Sequence, residues 1–315
     1  MQSIFVHFMI KVCDNMKKLI CTLLALALTI GAAGCSASSG STAAPAQVSS
    51  AAAGSSQAGQ TASSGASDGS WDKVKSAGQL VLGLDKAFPP MGFVDTQTGE
   101  LVGFDIDLAK EACKRLNIKL KLQPIDWDNK TAELNNGNVD CLWNGFSKTD
   151  EREKQFNLSI PYMKNNQIIL IKSGSTFKGL DSLAGKTVGV QSDSSALTAI
   201  EGKPDFKKSL KDLVKIDDYS KAVLEIQNGT VDAIAIDEIV ARYYLSKNPG
   251  AYQVLQDKDG KDASLATEDY VVGFRKGDSA LKVQIEGALK AMAADGTMAK
   301  ISTKWFQKDI TTVGK

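Results

Sequence analysis

A strand–helix alternation runs through this chain once, stops, and starts again. In the first pass, Leu80–Leu84 is a short apolar run that reads as a buried strand. From Phe104 to Leu116, the residues Phe104, Leu108, Ala112 and Leu116 recur on one face at helical spacing. Lys119–Gln123 is a second strand with Pro124 at its end, and Lys130–Asn135 is a helix closed by Asn136-Gly137. Val139–Trp143 is a third strand. The second pass gives a strand at Lys186–Val190, a helix at Ser220–Gln227 and a strand at Val231–Ile236. Such alternation predicts an α/β fold with parallel sheets.

The two passes also echo each other in detail. Glu133 to Asp140 reads Glu-Leu-Asn-Asn-Gly-Asn-Val-Asp, and about 90 residues later Glu225 to Asp232 reads Glu-Ile-Gln-Asn-Gly-Thr-Val-Asp. Each is a helix end, a glycine cap and an aspartate opening a strand. Asn-Gly is a common helix terminator, so coincidence is the competing explanation. Two equivalent lobes account for the whole pattern. Open sheets of this kind bind ligands in the crevice at the carboxyl ends of their strands. That places interest on Asp85–Phe88, Asn144–Arg152, Gln191–Ser195 and Asp237.

The first 70 residues have a different character. Met16-Lys17-Lys18 leads into the apolar stretch Leu19–Ile30 and then into Gly31-Ala32-Ala33-Gly34-Cys35. A basic start, a short apolar stretch and a small-residue cleavage site make an export signal. Residues 1–34 are expected to be that signal, with Met16 the better initiation residue. The stretch is short for a membrane span, which needs about 18 apolar residues. The ending Ala32-Ala33-Gly34-Cys35 resembles the bacterial lipoprotein lipobox, with Ala32 where leucine is usual. The resemblance implies cleavage before Cys35 and lipidation of its thiol. From Ser36 to Ser70 the composition falls to Ser, Ala, Gly, Gln and Thr. Such a segment buries too little apolar surface to order, and reads as a flexible tether over 35–70. The folded part is expected from near Trp71.

Charge and residue counts remove several function classes. Lys and Arg number 37 against 36 Asp and Glu, so the balance does not suit a nucleic-acid binder. Residues 1–34 hold three lysines and one aspartate, so the net charge of +1 becomes −1 from Cys35 onward. Membrane attachment would then come from acyl chains. The sole histidine is His7, so the mature chain offers no His-based triad and no His-bearing metal site. No cluster has metal-ligand spacing, and no cofactor is expected. Gly179 to Thr187 imitates a phosphate-binding loop, but it has one residue too many between the glycines and precedes a strand. Cys113 and Cys141 read as buried free thiols, with a disulfide between them as the alternative in an oxidising compartment.

Two charged residues carry the sharpest chemistry. Arg152 stands just beyond a strand end and could grip a planar carboxylate with two parallel hydrogen bonds. Asp237 stands at a strand end of the other lobe and could take an ammonium. Together they suit the zwitterionic head of an α-amino acid, although each could also be an ordinary surface charge. Phe88 and Trp127 are candidate walls for a side chain, and either could instead be core.

Several ordered segments resemble the solute-binding proteins of amino-acid ABC transporters. These are Leu80 to Phe93, Gly103 to Ala109, Asn144 to Arg152 with Phe156 to Tyr162, Leu183 to Gln191, and Asp295 to Thr297 with Lys304 to Phe306. The resemblance covers about residues 71–308. It implies two Rossmann-like lobes joined by two hinge strands, the type II periplasmic-binding-protein fold. Lobe 1 would be 71–166 plus 272–315, and lobe 2 would be 167–271. It implies that Arg152 holds the ligand carboxylate with help from Ser147 and backbone groups at Gly145 and Ser195. Ser194 would add a hydroxyl and Asp237 would take the ammonium. Phe88 and Trp127 would sandwich the side chain, with Asp85 near its tip, and Asn144 and Gln191 lining the cleft. Glu100, Asp105 and Asp107 would be structural. Asp193 departs from the family, which often has glycine there.

The function implied is capture of an amino acid outside the cytoplasm by a monomer, held to the cell membrane at Cys35, and delivery to an ABC permease without catalysis. A competing reading is an exported cyclohexadienyl dehydratase on the same fold, with Asp237 or Glu238 as general acid. A receptor sensor module is a third. Asp85 and Gln191 favour a ligand side chain that is polar or bears nitrogen.

Overall fold

The computed structural model describes residues 68–315. The expected signal segment, Cys35 and the tether up to residue 67 lie outside the described residues. Residues 68–70 were expected in the tether and instead belong to the folded body. Asp68 accepts from the Ser70 amide at 2.9 Å and from the Ala280 amide at 2.9 Å. Ser70 begins the first described helix, Ser70–Ala77.

The strands, in chain order, begin with β1 (Gln79–Leu84), β2 (Ala87–Phe88), β3 (Gly92–Val94), β4 (Leu101–Val102), β5 (Lys119–Pro124), β6 (Cys141–Ser147), β7 (Asn157–Leu158) and β8 (Met163–Lys172). Then come β9 (Thr187–Gln191), β10 (Asp212–Ile216), β11 (Ala233–Asp237), β12 (Tyr252–Val254) and β13 (Ser264–Phe274). A ten-stranded sheet has the main order β10-β9-β11-β8-β13-β6-β1-β5. At one end β1, β5 and β6 are parallel, and at the other β9, β10 and β11 are parallel. Between them lie β8 and β13, antiparallel to each other and to their outer neighbours. The fold is therefore two parallel α/β lobes joined by two long strands.

The sequence echo has a physical cause. The first helix of the pair ends near Asn136, with Gly137 at φ 79°, and the second ends at Gly229 with φ 76°. That left-handed conformation costs glycine little. Asp140 then accepts from the Val81 amide at 2.9 Å, and Asp232 accepts from the Thr187 amide at 2.9 Å. Each aspartate fastens the start of its own strand to the first strand of its own lobe. Coincidence does not account for that match.

Most element positions agree with the sequence pattern. The main difference is β6, expected over Val139–Trp143 and found over Cys141–Ser147. Asn144-Gly145 reads locally as a turn, yet β13 pairs along this stretch, Val271 with Phe146 and Tyr270 with Ser147. Tertiary pairing overrides the local signal. The result is that Asn144, Gly145 and Ser147 lie within the strand rather than in a loop beyond it.

Leu80, Leu82, Leu84, Phe104, Leu108 and Trp143 are fully buried in the largest core cluster. A second cluster, with Ile169, Val188, Val190 and Ile200, lies in the other lobe, whose remaining core residues, such as Ile234 and Ile236, belong to the first cluster. Cys113 and Cys141 are buried free thiols, so the alternative disulfide is not formed. Burial pushes the Cys113 thiol up to about 12 and Cys141 well above its ordinary value. No helix among the described residues is long and apolar enough to cross a membrane.

Candidate functional site

The strand ends of the two lobes converge on a buried polar cluster. From lobe 1 comes Arg152, in the helix Asp150–Gln155 that Thr149 caps through its side chain. Its side chain is buried although it carries a charge. Nη1 donates to the Ser147 carbonyl at 2.9 Å and Nη2 to the Asp193 carbonyl at 3.2 Å. The guanidinium lies over the Phe146 ring, 4.4 Å from its centroid. Burial lowers its pKa, while Glu268, Asp193 and Asp237 act in the opposite sense. Arg152 thus feels all three carboxylates but forms no ion pair among the described residues.

From lobe 2 comes Asp237, the last residue of β11 and only 2% exposed. It accepts from Asn165 at 2.7 Å, Gln167 at 2.8 Å, the Tyr270 hydroxyl at 2.6 Å and the Tyr219 hydroxyl at 3.1 Å. Every partner is neutral. Burial, and then the nearby Glu268 carboxylate, push its pKa up to about 7. Ser195 closes the gap between lobes. Its hydroxyl donates to Ser147 Oγ at 3.0 Å, and it also contacts Gln167 at 3.1 Å and Glu268 at 3.1 Å.

A second pair of contacts crosses the lobes nearby. Asp85 accepts from Gln191 at 2.7 Å, and burial raises its pKa to about 6. Lys130, 2% exposed, donates to the carbonyls of Trp127 at 3.1 Å and Asp193 at 2.9 Å and pairs with the Asp193 carboxylate. Three buried carbonyl oxygens in this region have no hydrogen-bond partner: Asn165 Oδ1, Gln167 Oε1 and Gln191 Oε1. Buried acceptors of this kind are rare and call for a donor. Among the described residues there is no group of acids and thiols that could hold a metal ion.

Residues 80–308 match the family model of the bacterial extracellular solute-binding proteins, family 3. The chain belongs to that family. It is 30% identical to the L-cystine-binding protein TcyJ of Escherichia coli K12 over 258 residues, 81% of this chain and 92% of that one. It is 32% identical to the arginine-binding extracellular protein ArtP of Bacillus subtilis over 232 residues, 72% of this chain and 86% of that one. A crystal structure of an ABC uptake transporter substrate-binding protein from Streptococcus pneumoniae with bound histidine superposes with a TM-score of 0.73 at 36% identity, covering 78% of this chain and 98% of that one. The resemblance read from the sequence and the two-lobe type II fold are both borne out.

Within this solute-binding protein, several of the expected site residues have partners of their own. The Ser194 hydroxyl has its donor and one lone pair engaged. It caps the helix Ser195–Glu201, accepting from Leu197 at 3.2 Å and donating to the Gln191 carbonyl at 2.7 Å. The Gly145 amide is committed to Asp105 at 2.6 Å, which leaves its carbonyl rather than its N–H. Gly145 itself has φ 56°, and an added Cβ would fall 2.7 Å from the Phe88 ring. Phe88 packs on Tyr219, ring centroids 5.5 Å apart, while Trp127 packs edge-on to Phe146 at 5.9 Å. The ring beside Phe88 is therefore Tyr219, and Trp127 belongs to a separate apolar cluster with Phe146 and Phe156. Asn144 is buried with neither amide atom hydrogen-bonded, pressed against Gly92 of β3. Glu238 pairs with Arg242 at 3.1 Å and with Asn166 at 2.8 Å, outside the cluster.

The departure at Asp193 also gains a reason. Its φ is 51°, the left-handed region that favours glycine. The backbone keeps the glycine conformation, and the side chain it gains reaches Lys130. The sequence reading missed Asn165, Gln167, Tyr219, Tyr270, Lys130 and Glu268. A signal existed: Asn165-Asn166-Gln167 and Thr267-Glu268-Asp269 are polar runs inside otherwise apolar strands.

Proposed function

We propose that this protein captures a free amino acid between its lobes outside the cytoplasm and hands it to an ABC permease. Arg152 takes the carboxylate and Asp237 the ammonium. One observation carries the reading: two opposite charges from opposite lobes share one buried cluster, and neither has an ion-pair partner among the described residues. Burying an unpaired charge is costly, and a zwitterion supplies both missing counter-charges. The three carbonyl oxygens without donors favour a ligand rich in N–H, with a polar or nitrogen-bearing side chain. The relatives that bind cystine, arginine or histidine support the same class. Asp85 and Gln191 would meet the side chain beyond Phe88. The lobes are taken as 71–166 with 272–315, and 167–271, with the protein a monomer anchored by lipid at Cys35.

A thermal-shift screen of the twenty amino acids with cystine and ornithine tests this. A true ligand at a hundred times its Kd adds about 2.7 kcal/mol of stability. If no compound raises the midpoint, the proposal fails. Prephenate and arogenate should pass through unchanged, and turnover of either would favour the dehydratase reading. Cys35→Ala should move the protein out of the membrane fraction.

A further inference from the structure

We propose that Glu268 is the second acid of the ammonium site, so that the ligand's α-nitrogen is held between carboxylates from lobe 2 and from a hinge strand. The inference rests on the amino-acid reading and names a residue that reading leaves out. Glu268 lies on β13, where it pairs in register with Asn165 of β8. Asn165 Nδ2 donates to Asp237 at 2.7 Å and to Glu268 at 3.0 Å. Gln167 Nε2 donates to Asp237 at 2.8 Å and also to Glu268. The same two amide nitrogens therefore bridge both carboxylates.

The far ends of those amides, Asn165 Oδ1 and Gln167 Oε1, are buried and lack donors. Two carboxylates bridged by amides, and two buried carbonyl oxygens on those same amides, thus belong to one cluster. Arg152 is the cation whose field reaches both acids, and the ligand's own carboxylate would claim it. An ammonium brings the positive charge that both carboxylates lack, and three N–H donors to share among these acceptors. Placing Glu268 on a strand shared by the lobes also ties the head group to the element that must bend when they close.

The test uses the full chain, with the amino acid that gives the largest shift in the screen and its desamino analogue, in which hydrogen replaces the α-ammonium. Glu268→Gln keeps the oxygen that accepts from Asn165 and Ser195, so the fold should hold, and its unliganded midpoint checks this. Calorimetry should show the amino acid weakened at least tenfold. The desamino analogue should bind the variant as well as or better than it binds the wild type. Equal loss for both ligands would make Glu268 a structural residue and overturn the proposal.

The pH profile gives a second readout. Asp237 is faced by Glu268, Arg152, Tyr219 and Tyr270, and it must be ionised to hold an ammonium. Wild-type affinity should fall as pH drops below about 7, and in Glu268→Gln that fall should move to lower pH. An unmoved profile counts against the inference. If Asp237→Asn abolishes binding while Glu268→Gln leaves it intact, this inference fails and the zwitterion reading stands. If no amino acid binds the wild type, both fail.

Discussion

Two arginines of lobe 1, the buried Arg152 and the half-buried Arg275, are treated in opposite ways. Arg275, after the end of β13, pairs with Asp278 at 2.7 Å and Asp140 at 3.5 Å, and donates to the carbonyls of Leu134 at 2.9 Å and Val139 at 2.7 Å. It ties the end of one strand to the Asn-Gly segment, and its charge is matched by acids of its own lobe. Arg152, at the cleft, has two carbonyls and an aromatic face but no acid in contact. The same side chain is finished in one place and left unfinished in the other. An unmatched buried charge lowers stability, so its persistence marks a place where something else supplies the match.

This contrast can be broken by mutation. Truncating one member of a desolvated charged pair costs on the order of 2–5 kcal/mol in binding. Arg152→Ala and Asp237→Ala should each weaken amino-acid binding by about thirty-fold or more in calorimetry. Ligand esters should mimic the first and N-acetyl ligands the second. Near-native affinity in both variants would remove the zwitterion clamp. Arg275→Ala should do the reverse. It should lower the unfolding free energy by roughly 3 kcal/mol while affinity stays close to wild type. Loss of affinity with unchanged stability in that variant would erase the distinction between the two arginines.

A smaller effect sharpens the comparison from the acid side. Asp237 is pushed up to about 7 and Asp85 to about 6, both chiefly by burial. A carboxyl whose folded pKa exceeds its unfolded value of about 4 holds its proton more tightly when folded. The unliganded protein should therefore lose stability as pH climbs from about 4 to about 7. Asp237→Asn should flatten part of that slope in thermal melts. A steeper slope in the variant would contradict the burial argument. Smaller still is the expected effect of Asp193→Gly. It keeps the left-handed backbone but removes the carboxylate that meets Lys130 across the cleft. Small-angle scattering of the unliganded variant should give a slightly larger radius than wild type, and an identical radius would show the contact to be incidental.

How much of this was legible beforehand follows from where each signal resides. Helix and strand periods are local, so the alternation and the Asn-Gly echo could be read directly. Arg152 and Asp237 were legible because strand ends in such folds point at the crevice. Asn165, Gln167 and Glu268 were not, because their meaning comes from pairing between strands about 100 residues apart in the chain. A polar residue in an apolar strand hints at a role but not at a partner. Ser194 shows the opposite case. Its hydroxyl, which the resemblance assigns to a ligand, also has a local task as a helix cap that the sequence reading did not name. Trp127 was ambiguous because an aromatic beside a crevice and one beneath it look alike in sequence.

The paired clasps at Asp140 and Asp232 have a mechanical consequence. Each carboxylate holds an amide of its own lobe, Val81 in one and Thr187 in the other, and neither bond crosses to the other side. Flexing at β8 and β13 puts no load on them. Each lobe can then swing as a stiff lever, with deformation gathered in the two shared strands. Hydrogen exchange at the Val81 and Thr187 amides should be slow, and the same with and without ligand, while amides along β8 and β13 slow down as the jaws shut.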